Sequence, residues 1–379
     1  MRIMHLITTL SVGGAETNLY RLLSKTDLSI FKTEVVSLTD KGIIGEKIMS
    51  LGVPVHALGL QIGVPNLLSI GRLVRRIRQH RPHIIQAWMY HANILGLLAT
   101  KLNKLPTLVW NIRCSDIPFS NYRPQTGWIV KLCANLSAIP DAIIINSRKG
   151  MNEHIKLGYK SDRMLYIPNG IDPDLFRPNP EARRFVRREL GLPKDATIVG
   201  FVARWDPLKD HTTFIQAAAL LSREHEHTYF LLIGKDIDWD TPQLASLIKD
   251  AGLQDRMFLL GLRDDISRMT AAVDIACSSS VTEGFPTTVL EAMACGVPCV
   301  VTDVGDSASI VGDTGFAVPS RNPDALAKAW ASLLTMDVDK RRDLGVTARN
   351  RVISRFSLEK VTRQYESLYY ELGNNSPRH

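Results

Sequence analysis

"DIACSSSVTEGFPTTVLEAMACGVPCVVTD", residues 274–303, contains four segments of different character. "DIACSSS" reads as a short buried strand and "VTEGFP" as a turn. "TTVLEAMAC" has the apolar spacing of a helix that opens near Thr287 or Thr288, Gly296 ends it, and "PCVVTD" reads as the next strand. Strand, loop, helix and parallel strand form a βαβ unit, the building block of a wound parallel sheet. Glu283 therefore falls in the loop and Glu291 inside the helix.

The same rhythm runs through the chain. "RIMHLIT", "TEVVSL", "PVHAL", "HIIQAW", "TLVWNIR", "AIIINS" and "MLYIP" read as strands in the first half, separated by helical stretches such as "AETNLYRLLSK" and "HANILGLLATKL". After the polar stretch "DPDLFRPNPEARRFVRRELGLPKDA" the alternation restarts with "TIVGFVAR", "TYFLLIG", "RMFLLG", "DIACSSS", "PCVVTD" and "GFAVP". A chain of 379 residues with 45% hydrophobic residues is too long for one ordinary core. The expected architecture is α/β: two Rossmann-like, doubly wound domains facing across a cleft. The first spans 1–178 and the second 179–357, with a terminal helix, about 358–379, packing back on the first.

Composition narrows the class. Charged residues make up 22% and no low-complexity tract occurs, so the chain reads as globular. "MRIMHLITTLSVGGAE" reads as a buried strand rather than a signal peptide, and no apolar stretch approaches the roughly 20 residues of a spanning helix. Five scattered cysteines form neither a disulfide framework nor a metal knuckle, which fits a reducing cytoplasm. The net charge of +8 is uneven: residues 1–168 hold 21 Lys and Arg against 9 Asp and Glu, and residues 169–379 hold 25 against 29. Its densest part, "SIGRLVRRIRQHRPH", alternates Arg72, Arg75, Arg76 and Arg78 with apolar residues at helical spacing. Such a helix suits an ordinary solvated face, anionic lipid headgroups or nucleic acid. No nucleic-acid-binding motif accompanies it, so no nucleic-acid partner is expected.

In doubly wound sheets, ligands bind at the carboxyl ends of the strands, and candidate motifs lie there. Gly13-Gly14 follows the first strand and opens a helix, where backbone can approach a phosphate; it is not a G-x-G-x-x-G fingerprint. "GFVARWDPLKDH" delivers Arg204 and Lys209 to one loop, a pair suited to a diphosphate or simply solvated. Glu291 suits a ribose diol and Glu283 a sugar ring, with helix amides between them for an anion; exposure or ion pairing is the bland alternative.

Taken together, "EGFPTTVLEAMACGVPCVVTD", "GGAE", "YIPNGIDPDLF" (Tyr166 to Phe176) and the Arg204/Lys209 loop resemble, in order and over nearly the whole chain, the retaining glycosyltransferases of family 4, the group 1 glycosyl transferases, with the GT-B fold. The resemblance implies that Glu291 holds the nucleotide ribose and Glu283 contacts donor-sugar hydroxyls. It implies that amides around Phe285, Pro286 and Thr287 wrap sugar and phosphate, and that Arg204 and Lys209 neutralise the leaving diphosphate. Gly13 and Gly14 would close over the phosphate, the nucleobase would lie against Gly234, Leu262 and Arg263 (in "LGLR", beside Gly261), and Asn169-Gly170 would form a structural turn. Where a common version of the family has a sugar-contacting His, this chain has Arg113. His91 is another candidate sugar or acceptor contact, or a structural cap.

The resemblance further implies a hexose or N-acetylhexosamine moved with retention from a nucleotide sugar, a UDP-sugar, to a glycan or lipid-linked acceptor in bacterial surface polysaccharide or lipopolysaccharide synthesis. No cofactor or metal is expected: "DID" and "DWD" near Asp236 do not make an Asp-x-Asp metal site and read as solvent-exposed. The basic first domain, with Phe119, Tyr122 and Trp128 among Arg123 and Lys131, suggests a cytoplasmic protein docking peripherally on an anionic membrane. A GT-B epimerase, a phosphorylase and a non-catalytic nucleotide-sugar-binding module are the competing classes.

Overall fold

The computed structural model describes residues 1–60, 67–103, 107–114 and 124–375, so Phe119, Tyr122 and Arg123 lie outside the described residues. Two compact units divide the chain, one of residues 1–170 with 358–379 and the other of residues 171–357.

The first unit begins β1 (Arg2–Ile7), α1 (Gly14–Lys25), β2 (Lys32–Ser37), α2 (Gly42–Ser50), β3 (Val55–Ala57), α3 (Leu67–His80) and β4 (Ile84–Trp88). It continues with α4 (Tyr90–Asn103), β5 (Thr107–Ile112), α5 (Pro124–Leu136), β6 (Ala142–Ile145), α6 (Arg148–Lys156) and β7 (Met164–Tyr166). Its seven strands pair in parallel in the order β3-β2-β1-β4-β5-β6-β7.

The second unit contains α7 (Pro180–Glu189), β8 (Thr197–Val202), α8 (His211–Leu221), β9 (Thr228–Ile233), α9 (Pro242–Asp250), β10 (Met257–Leu259) and α10 (Ile266–Thr270). There follow β11 (Ile275–Ser278), α11 (Thr287–Ala294), β12 (Cys299–Thr302), α12 (Ser307–Val311), β13 (Gly315–Val318), α13 (Pro323–Thr335) and α14 (Val338–Phe356). Its six strands, also parallel, run β10-β9-β8-β11-β12-β13. Every strand expected from the sequence is present. In each sheet the winding reverses once, between β1 and β4 and between β8 and β11, leaving the loops after those strands free to diverge around a crevice.

Side-chain alternation along the buried strands divides the first unit's core in two. Met4 and Leu6 of β1 face one way with Leu73, Leu97 and Val130 from α3, α4 and α5. Ile3 and Ile7 face the other way, with Leu19, Leu22 and Ile48 from α1 and α2. The last helix, α15 (Leu358–Asn375), completes that second layer through Val361, Tyr365, Leu368 and Tyr369. Tyr369 is 2% exposed, meets Phe31 edge-on with ring centroids 5.8 Å apart, and donates its hydroxyl hydrogen bond to Gln86 of β4. Tyr365 stacks on Trp88 at 6.5 Å.

The boundary after the first sheet falls at Gly170 rather than at 178, because residues 171–178 are held by α14. Ile171 donates its amide to the Phe356 carbonyl at 2.9 Å, and Arg349 donates to the carbonyls of Pro173 and Phe176, each at 3.0 Å. At Gly170 itself a side chain would collide with α15, since a Cβ there would stand 2.8 Å from the Leu358 Cα.

No helix among the described residues is long and apolar enough to cross a membrane. The basic helix α3 is partly turned inward: Arg76 and His80 approach the buried Glu34 carboxylate of β2 at 3.6 and 3.3 Å, and Arg72 donates to the Leu58 carbonyl at 3.2 Å. Burial pushes the Glu34 carboxyl up, against the pull of Arg76.

Because α15 supplies core rather than surface, Tyr369→Ala is expected to destabilise the first unit by about 3–5 kcal/mol, in the range of large aromatic truncations. Urea denaturation checks this, and a change under about 1 kcal/mol would be inconsistent with a packed α15.

Candidate functional site

The crevice of the second sheet is flanked by the loops after β8 and β11, and these carry the predicted charged residues. After β8 the chain turns through Asp206-Pro207, where the Asp206 carboxylate caps a single 3-10 turn, Pro207–Lys209, by accepting from the Leu208 amide at 2.9 Å. Asp210 follows in a left-handed conformation (φ 51°) and caps α8, accepting from the Thr213 amide at 3.2 Å and the Thr213 hydroxyl at 2.6 Å. These two caps aim Lys209 toward the neighbouring loop.

There Lys209 Nζ meets Glu283 Oε1 at 2.5 Å, and the same oxygen accepts from Ser280 Oγ at 2.6 Å. Both partners are largely shielded, Lys209 at 22% and Glu283 at 12% side-chain exposure, so the pair is less screened than a surface one. The two loops are also joined through backbone. Val281 donates to the Leu208 carbonyl at 2.9 Å, and Ser279 Oγ donates to the carbonyls of Lys209 and Asp210 at 3.1 and 3.0 Å.

A third loop, after β12, closes against the second. Thr302 Oγ1 donates to the Ser280 carbonyl at 2.6 Å and the Asp306 amide to the Gly284 carbonyl at 3.1 Å. Gly305 adopts φ 57°, and a Cβ there would lie 2.1 Å from the Glu283 carbonyl oxygen, so only glycine fits.

Arg204, 60% exposed, does not stand free. Its Nε and Nη2 donate to Asp206 Oδ2 at 3.0 and 2.6 Å. Burial raises the Asp206 carboxyl, but the Leu208 amide and the Arg204 guanidinium outweigh it and hold the group below the usual carboxylate range.

The helix α11 begins at Thr287, as the sequence predicts, with Pro286 in the cap position and no side-chain cap. The Phe285 side chain is buried against Phe356 of α14, ring centroids 5.7 Å apart, which anchors the loop. Glu291 is 6% exposed, one helical turn after Thr287.

Gly234, after β9, needs its lack of a side chain: φ is 158° and a Cβ would lie 2.2 Å from the Ala203 carbonyl oxygen beside Arg204. Gly261 accepts from the Gly234 amide at 2.9 Å, and Leu262 is 75% exposed. Arg263 donates to Asp265 at 2.8 and 2.9 Å and approaches Glu189 at 3.4 Å, in a cluster shared with Arg268. Arg263 first, then Arg268, holds the Asp265 carboxyl down at about 2 despite partial burial.

In the first unit, Gly13 caps α1 and Gly14 opens it with free space where a side chain would be. The Glu16 carboxylate folds back over this end, 2.3 Å from where a Gly13 Cβ would sit, and burial pushes its carboxyl up more than its own amide lowers it. His91 lies half-buried in the first turn of α4, its imidazole pKa lowered by burial.

Arg113, weighed from the sequence as a sugar or acceptor contact, is engaged within the first unit. Its guanidinium donates to Asn169, to Asn111 at 3.4 Å and to the Tyr365 hydroxyl at 3.2 Å, and it lies 5.3 Å over the Trp88 ring. The side chain is spent fastening β5, the Asn169-Gly170 turn and α15 together. The sequence could not show this, since the partners are 56 and 252 residues away. Ser280, Asp206 and Gly305 were also missed as supports of Glu283 and Arg204; the Asp-Pro step at 206–207 was the one local signal available.

Comparison with known proteins bears on the family and the fold. A model described as "Glycosyltransferase Family 4" matches residues 12–175 and one described as "Glycosyl transferases group 1" matches residues 182–351. The chain belongs to the group 1, family 4 glycosyltransferases. Among curated relatives, the N-acetyl-alpha-D-glucosaminyl L-malate synthase of Bacillus anthracis is 26% identical over 74% of this chain and 72% of its own. The UDP-Gal:alpha-D-GlcNAc-diphosphoundecaprenol alpha-1,3-galactosyltransferase of Escherichia coli is 22% identical over 92% of this chain and 90% of its own. Among solved structures, Anabaena HepE in complex with UDP superposes with a TM-score of 0.86 at 24% identity, covering 98% of this chain and all of that one, and the shared fold is GT-B.

The glycosyltransferase's Gly305 is predicted to be critical for loop geometry. Gly305→Ala should displace the 283–284 backbone at a stability cost of about 1–3 kcal/mol. Thermal and urea melting check this, and an unchanged stability would show that the third loop does not need glycine at this position.

Proposed function

We propose that this glycosyltransferase moves a hexose or N-acetylhexosamine from a UDP-sugar to a hydroxyl of a glycan or lipid-linked acceptor, with retention and without a metal, in bacterial surface polysaccharide synthesis. The observation that carries the donor reading is the Lys209–Glu283 pair at the second sheet's crevice, with Ser280 on the same carboxylate oxygen. Support for the nucleotide and acceptor comes from the relatives: HepE was solved with UDP, and the Escherichia coli enzyme's name specifies UDP-Gal and a diphosphoundecaprenol-linked acceptor.

The pair describes a donor-free resting arrangement. A diphosphate entering between the loops offers Lys209 and Arg204 two negative charges in place of Glu283 and Asp206. Lys209 then turns to the phosphate, and Glu283, still held by Ser280, accepts hydrogen bonds from donor-sugar hydroxyls. Amides of the first turn of α11, left without a side-chain cap, add donors for the anion. Glu291, buried in that helix, accepts from the ribose hydroxyls.

In the reaction the anomeric carbon–oxygen bond to the diphosphate breaks and its electron pair leaves with UDP. The acceptor hydroxyl oxygen forms the new bond on the same face, and its proton passes to the departing phosphate oxygen. The cations stabilise charge where it develops, a contribution of several kcal/mol in comparable electrostatic sites. Gly234 keeps the end of β9 close to that of β8, and exposed Leu262 stands near the expected base.

Separation of roles is the sharper test. Glu291→Ala is expected to weaken affinity for UDP itself by roughly 10-fold to 100-fold, the loss of a charged hydrogen-bonding partner, while Glu283→Ala lowers kcat with UDP affinity nearly intact. Equal losses of UDP affinity in the two variants would contradict the division.

Incubation with UDP-, GDP- and ADP-sugars should release free UDP from a UDP-sugar, with the rate unchanged by EDTA. An altered but intact nucleotide sugar would indicate epimerisation, binding without turnover would indicate a non-catalytic module, and loss of activity in EDTA restored by a divalent cation would remove the metal-independent part.

A further inference from the structure

The first sheet has one face covered by α3, α4 and α5, with Met151 of α6 packed beside them, and the other by α1, α2 and α15. These layers differ in charge. The sequences of α3, α4 and α5 carry Arg72, Arg75, Arg76, Arg78, Lys101 and Lys131 without a single Asp or Glu. In α1, α2 and α15, five carboxylates balance five cations. The basic character of the first half is thus concentrated on one face.

That face also exposes large apolar side chains at helical spacing. On α5, Trp128 is 77% exposed and Leu132 45%; on α4, Leu98 is 46% exposed and Leu102 59%. Each pair is four residues apart on one helix, and α4 packs against both α3 and α5. The helices' core sides are already satisfied by Leu97, Ala99, Val130 and Cys133, so the outward residues are surplus to folding. An outward tryptophan with aliphatic neighbours inside a field of cations is the composition of an interfacial membrane anchor: apolar groups enter the headgroup–acyl boundary and cations meet lipid phosphates.

We propose that the α3–α4–α5 face of the first unit docks on an anionic lipid bilayer, with Trp128, Leu132, Leu98 and Leu102 inserted and Arg75, Lys101 and Lys131 on headgroup phosphates. Arg76, turned to Glu34 inside the fold, takes no part, so the contact is carried by three helices rather than by the basic helix alone. Charge complementarity selects the occupant: helices whose sequences carry cations and no Asp or Glu, with Arg75, Lys101 and Lys131 available outward, disfavour a second copy of themselves and attract an anionic surface. The proposal deepens the lipid-linked-acceptor side of the proposed function, since docking would hold the first unit against the surface from which such an acceptor projects.

The test uses the full chain and needs no transfer. Protein is sedimented with vesicles of equal parts phosphatidylglycerol and phosphatidylcholine, and with phosphatidylcholine alone, at low and high salt. Binding is expected to the anionic vesicles, weakened by salt. It should fall on the order of tenfold or more in Trp128→Ser/Leu132→Ser and in Lys101→Glu/Lys131→Glu, with melting temperature and UDP affinity unchanged.

No binding to anionic vesicles at low salt overturns the proposal, as does equal binding to neutral vesicles or binding indifferent to both double variants. A dimer in sedimentation velocity that the Trp128→Ser/Leu132→Ser variant dissolves, without vesicle binding, assigns the face to a second copy instead. Vesicle binding without UDP release from any sugar would leave the surface standing and sink the donor reading; UDP release without vesicle binding would do the reverse.

Discussion

The crossing of the parallel chain from one side of β8 to the other is the constraint on which the candidate site depends. Because β9 and β10 are added on one side and β11 to β13 on the other, the loops after β8 and β11 leave neighbouring strands at the point where the winding reverses, and Val281 and Ser279 bond them to each other there. Lys209 and Glu283, 74 residues apart in sequence, reach 2.5 Å there. The capped turns at Asp206 and Asp210, the Ser279 and Thr302 hydroxyls and the glycine at 305 serve to hold the loops in register around that contact.

Charge in the second unit is locally balanced. Arg204 is matched by Asp206, Lys209 by Glu283, and Arg263 with Arg268 by Asp265 and Glu189. A partly shielded cation without a counter-charge would cost folding free energy, and these carboxylates supply that counter-charge. In the first two arrangements one cation meets one carboxylate at a loop end, the local geometry on which the proposed diphosphate exchange rests. The third is a closed cluster between α7 and α10, and its work is to fix those helices.

The first unit shows a division of labour between the faces of one sheet. Its α1–α2–α15 side is electrically balanced and closed by aromatic packing of the last helix, with Arg113 tying β5 and the Asn169 turn to Tyr365. Its α3–α4–α5 side keeps the excess cations and the outward Trp128 and leucines. Both layers bury a comparable apolar core, so the difference lies in what the helices present outward rather than in what holds them on.

Local pattern was sufficient for the strands and helices: buried parallel strands read as short apolar runs, and the glycines and prolines between them mark the turns, as at Gly296 and Pro207. The placement of Glu283 in a loop and Glu291 in a helix followed from that spacing alone, as did the family through the joint order of its motifs. What the sequence by itself could not determine were the partners. Arg113, Arg204 and Arg263 are the same residue type at strand ends, and nothing adjacent distinguishes a structural tie, a resting ion pair and a closed cluster. Arg204 and Arg263 each take an aspartate two residues on, but the tertiary structure decided the rest, because the link of Arg263 to Glu189 and those of Arg113 to Asn169 and Tyr365 cross 56 to 252 residues and are set by how strands pair and where α15 returns. The same holds for the first unit's surface: helical periodicity gives an amphipathic helix, but only packing shows that Arg76 turns inward to Glu34 while Trp128 points out.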